Sequence, residues 1–341
     1  MAGVPPKETS VLDAMDARIV RFLQLDPRAS FSRIAGELGV AEQTIARRYR
    51  RLRREGFVRV IGSIDANALG ENDWLIRVRC RPDGAVKVAE ALARRADVAW
   101  VSIAAGGAEV AFSLHPRTQS DRDDLLVQRL QRSAPVLDIT ASMIIHRFVG
   151  SSAVDWRGRR DICTAQQPVG APDAPGSDIQ LEAGDHALLD LLARDGRTSY
   201  AVLARSTGMS LGRVIRRVAA LQDGGILYFD LDIAPAALGS GLAAFLWLNV
   251  APAQLDSVGR AIADHDETTY TAAVTGPFNL FATVFCANAE RLYRYMTTEM
   301  AALNGVHSFE LSPVLRRLKQ AGSLTAGDLL AQPDPTLPRR S

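Results

Sequence analysis

A chain of 341 residues holds two or three domains, and with 47% hydrophobic residues each half can bury a core of its own. The opening MAGVPPKETS has no apolar centre, so it is not expected to be a signal peptide, and no run of about eighteen apolar residues exists to cross a membrane. Cys80, Cys163 and Cys286 are odd in number and far apart, which excludes a disulfide framework and a metal spacing; a reducing, cytoplasmic setting is expected.

After a polar lead of residues 1–11, Leu12, Met15, Ile19, Phe22 and Leu23 recur at helical spacing, with Asp13 as N-cap and Asp16 in the first turn, where an acid suits the free amides. Pro27 ends this helix. Ser30 caps a second, short one carrying Ile34, Ala35 and Leu38, and Gly39 stands where a chain leaves a helix left-handed. A third helix starts near Glu42, turns Ile45, Tyr49 and Leu52 inward, and closes at Gly56. Two helices about a tight glycine turn, behind a supporting helix, predict a helix-turn-helix head over 12–62, with Val58 to Ile64 as its wing.

Residues 63–149 then alternate in type. Strands are expected at Trp74 to Cys80, Val98 to Ala104, Val110 to Leu114 and Val136 to Ile145, with helices at Ala85 to Arg95 and Asp121 to Gln131. The order βαββαβ predicts a ferredoxin-like body. Residues 150–180, rich in Ser, Gly and Pro, read as a linker in which Trp156 alone could dock.

The pattern then restarts. LEAGDHALLDLLARDGRTSYAVLARSTGMSLGRVIRRVAALQDGGI lies 169 residues after its first copy, matching Asp16 to Asp185, Asp26 to Asp195, Arg28 to Arg197, Ser30 to Ser199, Gly39 to Gly208, Arg47 and Arg48 to Arg216 and Arg217, and Gly56 to Gly225. A second head is expected over 181–231 and a second body over 232–321, with elements at Ala244 to Val250, Leu255 to Ala263, Thr268 to Val274, Leu280 to Cys286, Ala289 to Leu303 and Val306 to Leu311. Residues 322–341, with Pro333, Pro335 and Pro338, are expected to be a disordered tail. The fold class is α+β: two winged helix-turn-helix heads, each followed by a ferredoxin-like body.

Charge separates the heads. Leu12 to Gly62 has eleven Arg against six acids, and Leu181 to Leu231 has six against six. An excess confined to one segment is the footprint of a polyanion binder, here double-stranded DNA. With Ile45, Tyr49 and Leu52 inward, Gln43, Arg47, Arg50 and Arg54 project outward, flanked by Ala46 and Arg53. Such a face fits the major groove. Gln43 and Thr44, near the helix start, and Arg47 are candidates to read bases; Arg50, Arg51 and Arg54 are candidates for phosphates. Arg48, beside the buried stripe, is expected to make a salt bridge within the head. In the second head Arg213 and Arg216 remain as weaker DNA candidates, and Gly212 costs its helix about 1 kcal/mol relative to Ala.

Two glycine turns between strands also stand out, Gly106 with Glu109 and Gly276 with Asn279. No catalytic constellation appears. His115, His146, His186, His265 and His307 are scattered, no phosphate-loop or dinucleotide motif occurs, and neither cofactor nor metal is expected.

The pattern LDAMDARIVRFLQLDPRASFSRIAGELGVAEQTIARRYRRLRREGFV resembles the head of the Lrp/AsnC (leucine-responsive, feast/famine) transcriptional regulators, and the body resembles that family's ACT-like effector-sensing and oligomerising domain. The resemblance implies a sequence-specific DNA-binding regulator that is not an enzyme, answers to an amino acid or other small effector, and pairs its bodies. In a fused tandem that pairing is an intramolecular pseudo-dimer, favoured by the high local concentration of one body near the other, and open to larger homo-oligomers. It would place effector contacts at Gly106, Glu109, Gly276 and Asn279, although the family's Asp is absent from both turns. Two unlike heads imply an asymmetric operator. Sirohaem decarboxylases resemble the same fold and also come in pairs. That likeness would imply a basic, His-containing segment after the head, whereas VRVIGSIDANALG and LYFDLDIAPAALG contain no His. A sensing or interaction module without DNA binding is the third reading.

Overall fold

The computed structural model describes residues 12–150, 179–182, 184–238 and 241–332. The polar lead, most of the expected linker with Trp156 and Cys163, and the chain beyond Gln332 lie outside the described residues.

In the first head, Asp13 and Asp16 form a reciprocal capping box on α1 (Ala14–Leu25). Ser30 caps α2 (Phe31–Leu38), which ends on Gly39 at φ 68°. The expected third helix is α3 (Glu42–Arg54); Ala41 gives it no side-chain cap. Then come β1 (Val58–Ile64), β2 (Trp74–Cys80), α4 (Ala85–Ala93), β3 (Val98–Ala104), β4 (Glu109–Leu114), α5 (Gln119–Asp123) running on into a π-helical stretch, and β5 (Val136–Val149). The second copy repeats the plan as α6 (Asp185–Arg194), α7 (Tyr200–Thr207), α8 (Leu211–Asp223), β6 (Leu227–Ile233), α9 (Pro235–Leu238), β7 (Leu242–Val250), α10 (Leu255–Ala263), β8 (Thr268–Val274), β9 (Leu280–Cys286), α11 (Ala289–Thr297) and β10 (Val306–Gln320).

Each body has the ferredoxin-like strand order, β5-β2-β4-β3 and β10-β7-β9-β8. The two last strands run beyond their expected ends, and this is how the copies join. Beyond its own β2, β5 pairs with β8 of the second body; beyond its own β7, β10 pairs with β3 of the first. The two sheets therefore close on each other, with Ala111, Phe245, Trp247, Ala272 and Phe281 packed between them. Separate cores lie between each sheet and its helices.

The heads are exchanged as well. β1 and β6 form an antiparallel pair in which Ile61 meets Asp230, its own equivalent in the repeat. A pseudo-twofold axis therefore passes through that pair. The first head's core takes in Leu231, Ile233 and Ala237 from the second copy, and the second head packs Ile64, Ala68 and Leu69 from the first. The expected pseudo-dimer is present, and its halves share cores.

Two expectations need correction. The helix read as running to Leu303 stops at Thr297, where the hydroxyls of Thr297 and Thr298 donate to the carbonyls of Tyr293 and Arg294 and compete with the next helical turn. Residues 323–332, read as the start of a disordered tail, form β11 (Ser323–Ala326) and β12 (Leu329–Leu330). Their apolar Leu330 is buried, and the hairpin pairs with β10, contacts that tail composition does not reveal.

Candidate nucleic-acid interface and inter-domain cavity

On α3, Gln43, Arg47, Arg50 and Arg54 are exposed and Thr44 is half-buried, while Ile45, Tyr49 and Leu52 face the core. Beneath the exposed row lies a second layer of guanidinium groups tied to acids. Arg48 donates to Asp13 (2.5 Å) and to the fully buried Asp16 (2.9 Å), the expected salt bridge within the head. The bond from Arg48 holds the Asp13 carboxyl below its usual range. Arg51, read as a phosphate contact, is instead bonded to Asp16. It lies one helical turn after Arg48, and the same buried carboxylate holds both. Arg53 is half-buried and pairs with Asp195 of the second head at 2.8 Å, and Ala46 is buried rather than flanking. Four of the expected DNA-contacting residues therefore remain exposed on the outer face, Gln43, Arg47, Arg50 and Arg54, with Arg54 lying 3.6 Å from the exposed Glu55.

The second head keeps the inner layer and changes the outer one. Arg217 forms bonds of 2.5–3.0 Å with the buried Asp185, whose carboxyl burial pushes up but the Arg217 bonds bring below its usual range. Ser210 caps α8 as Ala41 cannot cap α3. Arg216 is exposed, and Arg213 pairs with Glu182 at 2.9 Å. At the 169-residue offset, Arg50, Arg51, Arg53 and Arg54 become Ala219, Ala220, Gln222 and Asp223.

The repeated arginines Arg28 and Arg197 carry a role that the pattern alone did not disclose. Arg197 donates to the carbonyls of Pro27 (2.8 Å) and Ala29 (2.7 Å) and lies over the rings of Phe31 and Tyr49. Arg28 returns the contact across the pseudo-twofold axis, donating to the carbonyl of Thr198 (3.3 Å) and lying over Tyr200 and Phe229. This reciprocal clasp fixes the heads against each other. Its sequence signal was the pair of matched arginines just after each first helix.

The two glycine turns expected to contact an effector are occupied by their own side chains. Glu109 is buried and accepts from Arg77 at 2.6 Å; Arg77 also binds Glu310 and lies 4.8 Å from the Trp247 ring centre. Asn279 accepts from the Val250 amide at 2.8 Å and donates to the Val250 carbonyl at 2.7 Å. Gly106 and Gly276 take positive φ, as tight turns require.

A separate cavity of about 630 Å³ lies between the paired wings and the closed sheets, and none of those four residues lines it. Aromatic walls include Trp100, Tyr228, Trp247 and Tyr270, and five cationic side chains face three carboxylates around the lining. Three lining residues, Ser113, His115 and Arg147, are linked at its wall: the buried Asp73, outside the lining, binds both Arg147 and His115 (2.7 Å), and His115 reaches Ser113 at 3.1 Å. The hairpin after β10 forms one wall, through Gly327 and Asp328. Sequence reading missed this cluster, because Asp73, His115 and Arg147 lie on separate elements with no shared spacing. Among the described residues no group of His, Cys, Asp and Glu could hold a metal ion, and no helix is long and apolar enough to cross a membrane.

Comparison with known proteins fits this architecture. The model of the AsnC-type helix-turn-helix domain matches residues 12–53 and 181–222, and that of the Lrp/AsnC ligand binding domain matches 243–324. An uncharacterized HTH-type transcriptional regulator of Pyrococcus abyssi (strain GE5 / Orsay) is 32% identical over 145 residues, covering 42% of this chain and 91% of the relative. Regulatory protein AsnC of Escherichia coli (strain K12) is 26% identical over 142 residues, 40% of this chain and 93% of AsnC. Each relative thus corresponds to one copy of the repeat. The crystal structure of the siroheme decarboxylase NirDL superposes along nearly the full length, with a TM-score of 0.64 and 17% identity over 89% of this chain and 92% of NirDL; that likeness concerns the fold. With matched heads, a matched body and a relative aligned over nearly its whole length, the chain belongs to the Lrp/AsnC family of transcriptional regulators, with two heads and two bodies in one polypeptide.

Proposed function

We propose that this chain is a sequence-specific DNA-binding transcriptional regulator whose first head supplies most of the affinity, and that it is not an enzyme. The observation that carries this reading is the layered cationic face of α3. Arg48 and Arg51 are bonded to buried acid beneath, leaving Gln43, Arg47, Arg50 and Arg54 outward on a rigid helix. A helix with that face fits the major groove, with Gln43, Thr44 and Arg47 at base edges and Arg50 and Arg54 along phosphates. In the second head Arg216 is the exposed counterpart of Arg47. We place a small effector in the cavity rather than at the closed turns, because its cationic excess and aromatic walls suit an anionic, partly apolar molecule.

The test is binding to genomic fragments, including the chain's own promoter, at several salt concentrations. Selective binding with a steep salt slope is expected. Arg47→Ala should relax specificity, and Arg54→Ala should weaken all fragments alike. Equal affinity for every fragment sinks the reading.

One observation favours a second reading, a sirohaem-decarboxylase-like enzyme: the NirDL likeness spans both copies, and the cavity lies between them. Against it, the strand segments after both heads have no His, and the cavity's His115 is held between Asp73 and Ser113. A coloured tetrapyrrole co-purifying with the chain would favour the enzyme.

A further inference from the structure

The outer face of α8 does not simply lose charge; it gains apolar side chains. Leu211 and Ile215, one helical turn apart, are 49% and 43% exposed, and Val202 on the preceding helix is 39% exposed. They occupy the places of Glu42, Ala46 and Arg33 in the first head. Gly212 and Ala219 extend the same face without bulk, and the exposed Arg216 stands beside Ile215. What sets Leu211 and Ile215 apart is their place, on the outer face of the helix that matches the DNA-reading helix of the first head.

We infer that this face reads thymine methyl groups, so that the second head contacts a thymine-rich half-site beside the half-site read by Gln43 and Arg47. The inference rests on the DNA-binding reading and names the sequence class for its second half. Three observations favour DNA over a protein partner. The helix holds the place of the reading helix: Gly225 takes positive φ after it as Gly56 does after α3, the inner Arg217–Asp185 bond matches Arg48–Asp16, and Ser210 adds an N-cap. The reciprocal clasp and the β1–β6 pair fix α8 relative to α3, so duplex seated on the first head brings a defined stretch to the second. The apolar patch is three side chains interrupted by Arg216 and Gly212, small beside the roughly 800 Å² that each partner buries in a standard protein interface. In the major groove the thymine methyl is the apolar feature of the base edges, and small or branched apolar side chains match it. A first-turn position near the helix start is where bases are reached.

The test uses the full chain and a pool of duplexes with a randomised core. The selected sequences should show two unlike halves, one containing guanine or adenine and one rich in thymine. Replacing thymine by deoxyuracil in the second half alone removes only methyl groups. It should weaken binding about fourfold for each methyl in contact, the worth of burying one methylene-sized group. Leu211→Ala with Ile215→Ala, both exposed and so safe for folding, should abolish the difference between thymine and deoxyuracil while leaving the first half-site bound. Equal affinity for thymine and deoxyuracil overturns the inference and leaves the regulator reading intact, as does a second half without base preference. Self-association lost in the double variant, with no uracil effect, also overturns it and assigns the face to protein. Failure to select any sequence sinks both readings.

Discussion

Asp16 and Asp185 show how much of each head depends on one carboxylate. Both are fully buried at matched positions, and each accepts from the arginine thirty-two residues on, Arg48 or Arg217. Removing one partner of a buried pair leaves the other charge uncompensated, at a typical cost of 3–5 kcal/mol. Asp16→Ala should therefore cost about 3 kcal/mol in denaturant unfolding, towards the lower end because Arg48 and Arg51 can turn to water. A loss under about 1 kcal/mol would reduce the pair to a surface bridge. Asp232 behaves oppositely. It is buried on the second wing against the end of β10, with one oxygen bonded to Gln320 at 2.7 Å. Burial pushes its pKa up to about 6 from 3.8. A folded-state pKa raised above the unfolded one means that the folded chain binds the extra proton, so stability is present below about pH 4 and falls as pH rises through 6. Two units correspond to roughly 3 kcal/mol. Asp232→Asn should therefore stabilise the chain relative to wild type at pH 8 and lose most of that advantage at pH 4.5. The same advantage at both pH values would contradict the assignment. The repeated acids and arginines were legible in the sequence because both copies retain them. Which arginine points inward was legible only in part: Arg48 was assigned inward by its place beside the apolar stripe, but Arg51 needed the position of Asp16, thirty-five residues away.

Among the elements, α3 differs from α8 in what covers its C-terminal end. The hairpin after β10 folds back onto it: the Leu330 amide donates to the Gly56 carbonyl at 2.9 Å, and the Gln332 side-chain amide donates to the carbonyls of Arg53 and Arg54, both at 2.9 Å. Those carbonyls belong to the last turn, where helical donors run out; the Gly56 amide reaches the Arg53 carbonyl at 3.2 Å, and the hairpin adds the remaining donors as a cap. Helices, glycine exits and most strands were readable from period and punctuation. The cap was not, because its donor lies about 280 residues from its acceptors in a stretch whose composition reads as tail. Gly56 and Gly225 make the difference measurable. Both sit at positive φ, 79° and 72°, where a side chain is strained. A Cβ on Gly56 would also meet the Leu330 carbonyl oxygen at 2.5 Å, whereas nothing lies within 4 Å of one on Gly225. Gly225→Ala should cost about 1 kcal/mol, the left-handed penalty alone. Gly56→Ala should cost more and should also expose the hairpin to protease near Leu330. Equal costs and equal cleavage would mean that the hairpin does not seat on α3 in solution.

The whole molecule is a dimer made within one chain, and its exchanged strands were the least legible feature. A pairing such as Ile61 with Asp230 has no local trace; only the 169-residue repeat hinted that equivalent segments could meet. Carrying both copies in one chain removes the concentration dependence that a true dimer would have, which permits the two heads to diverge while staying paired. Their mutual position then rests on β1–β6, the Arg53–Asp195 bridge and the arginine clasp. Arg28 and Arg197 make their contacts on opposite sides of the pseudo-twofold axis, and Arg197 is the more engaged, with two carbonyls and two rings against one carbonyl and two rings. Arg197→Ala should therefore destabilise the head pair more than Arg28→Ala. The double variant should unfold its heads at lower denaturant than its bodies, splitting one transition into two. If the heads read two half-sites of one operator, the double variant should keep its affinity for an isolated first half-site and lose the extra affinity for the complete operator. A double variant that still gains from the second half-site would show that the strand pair and the Arg53–Asp195 bridge set the spacing of the heads without the clasp.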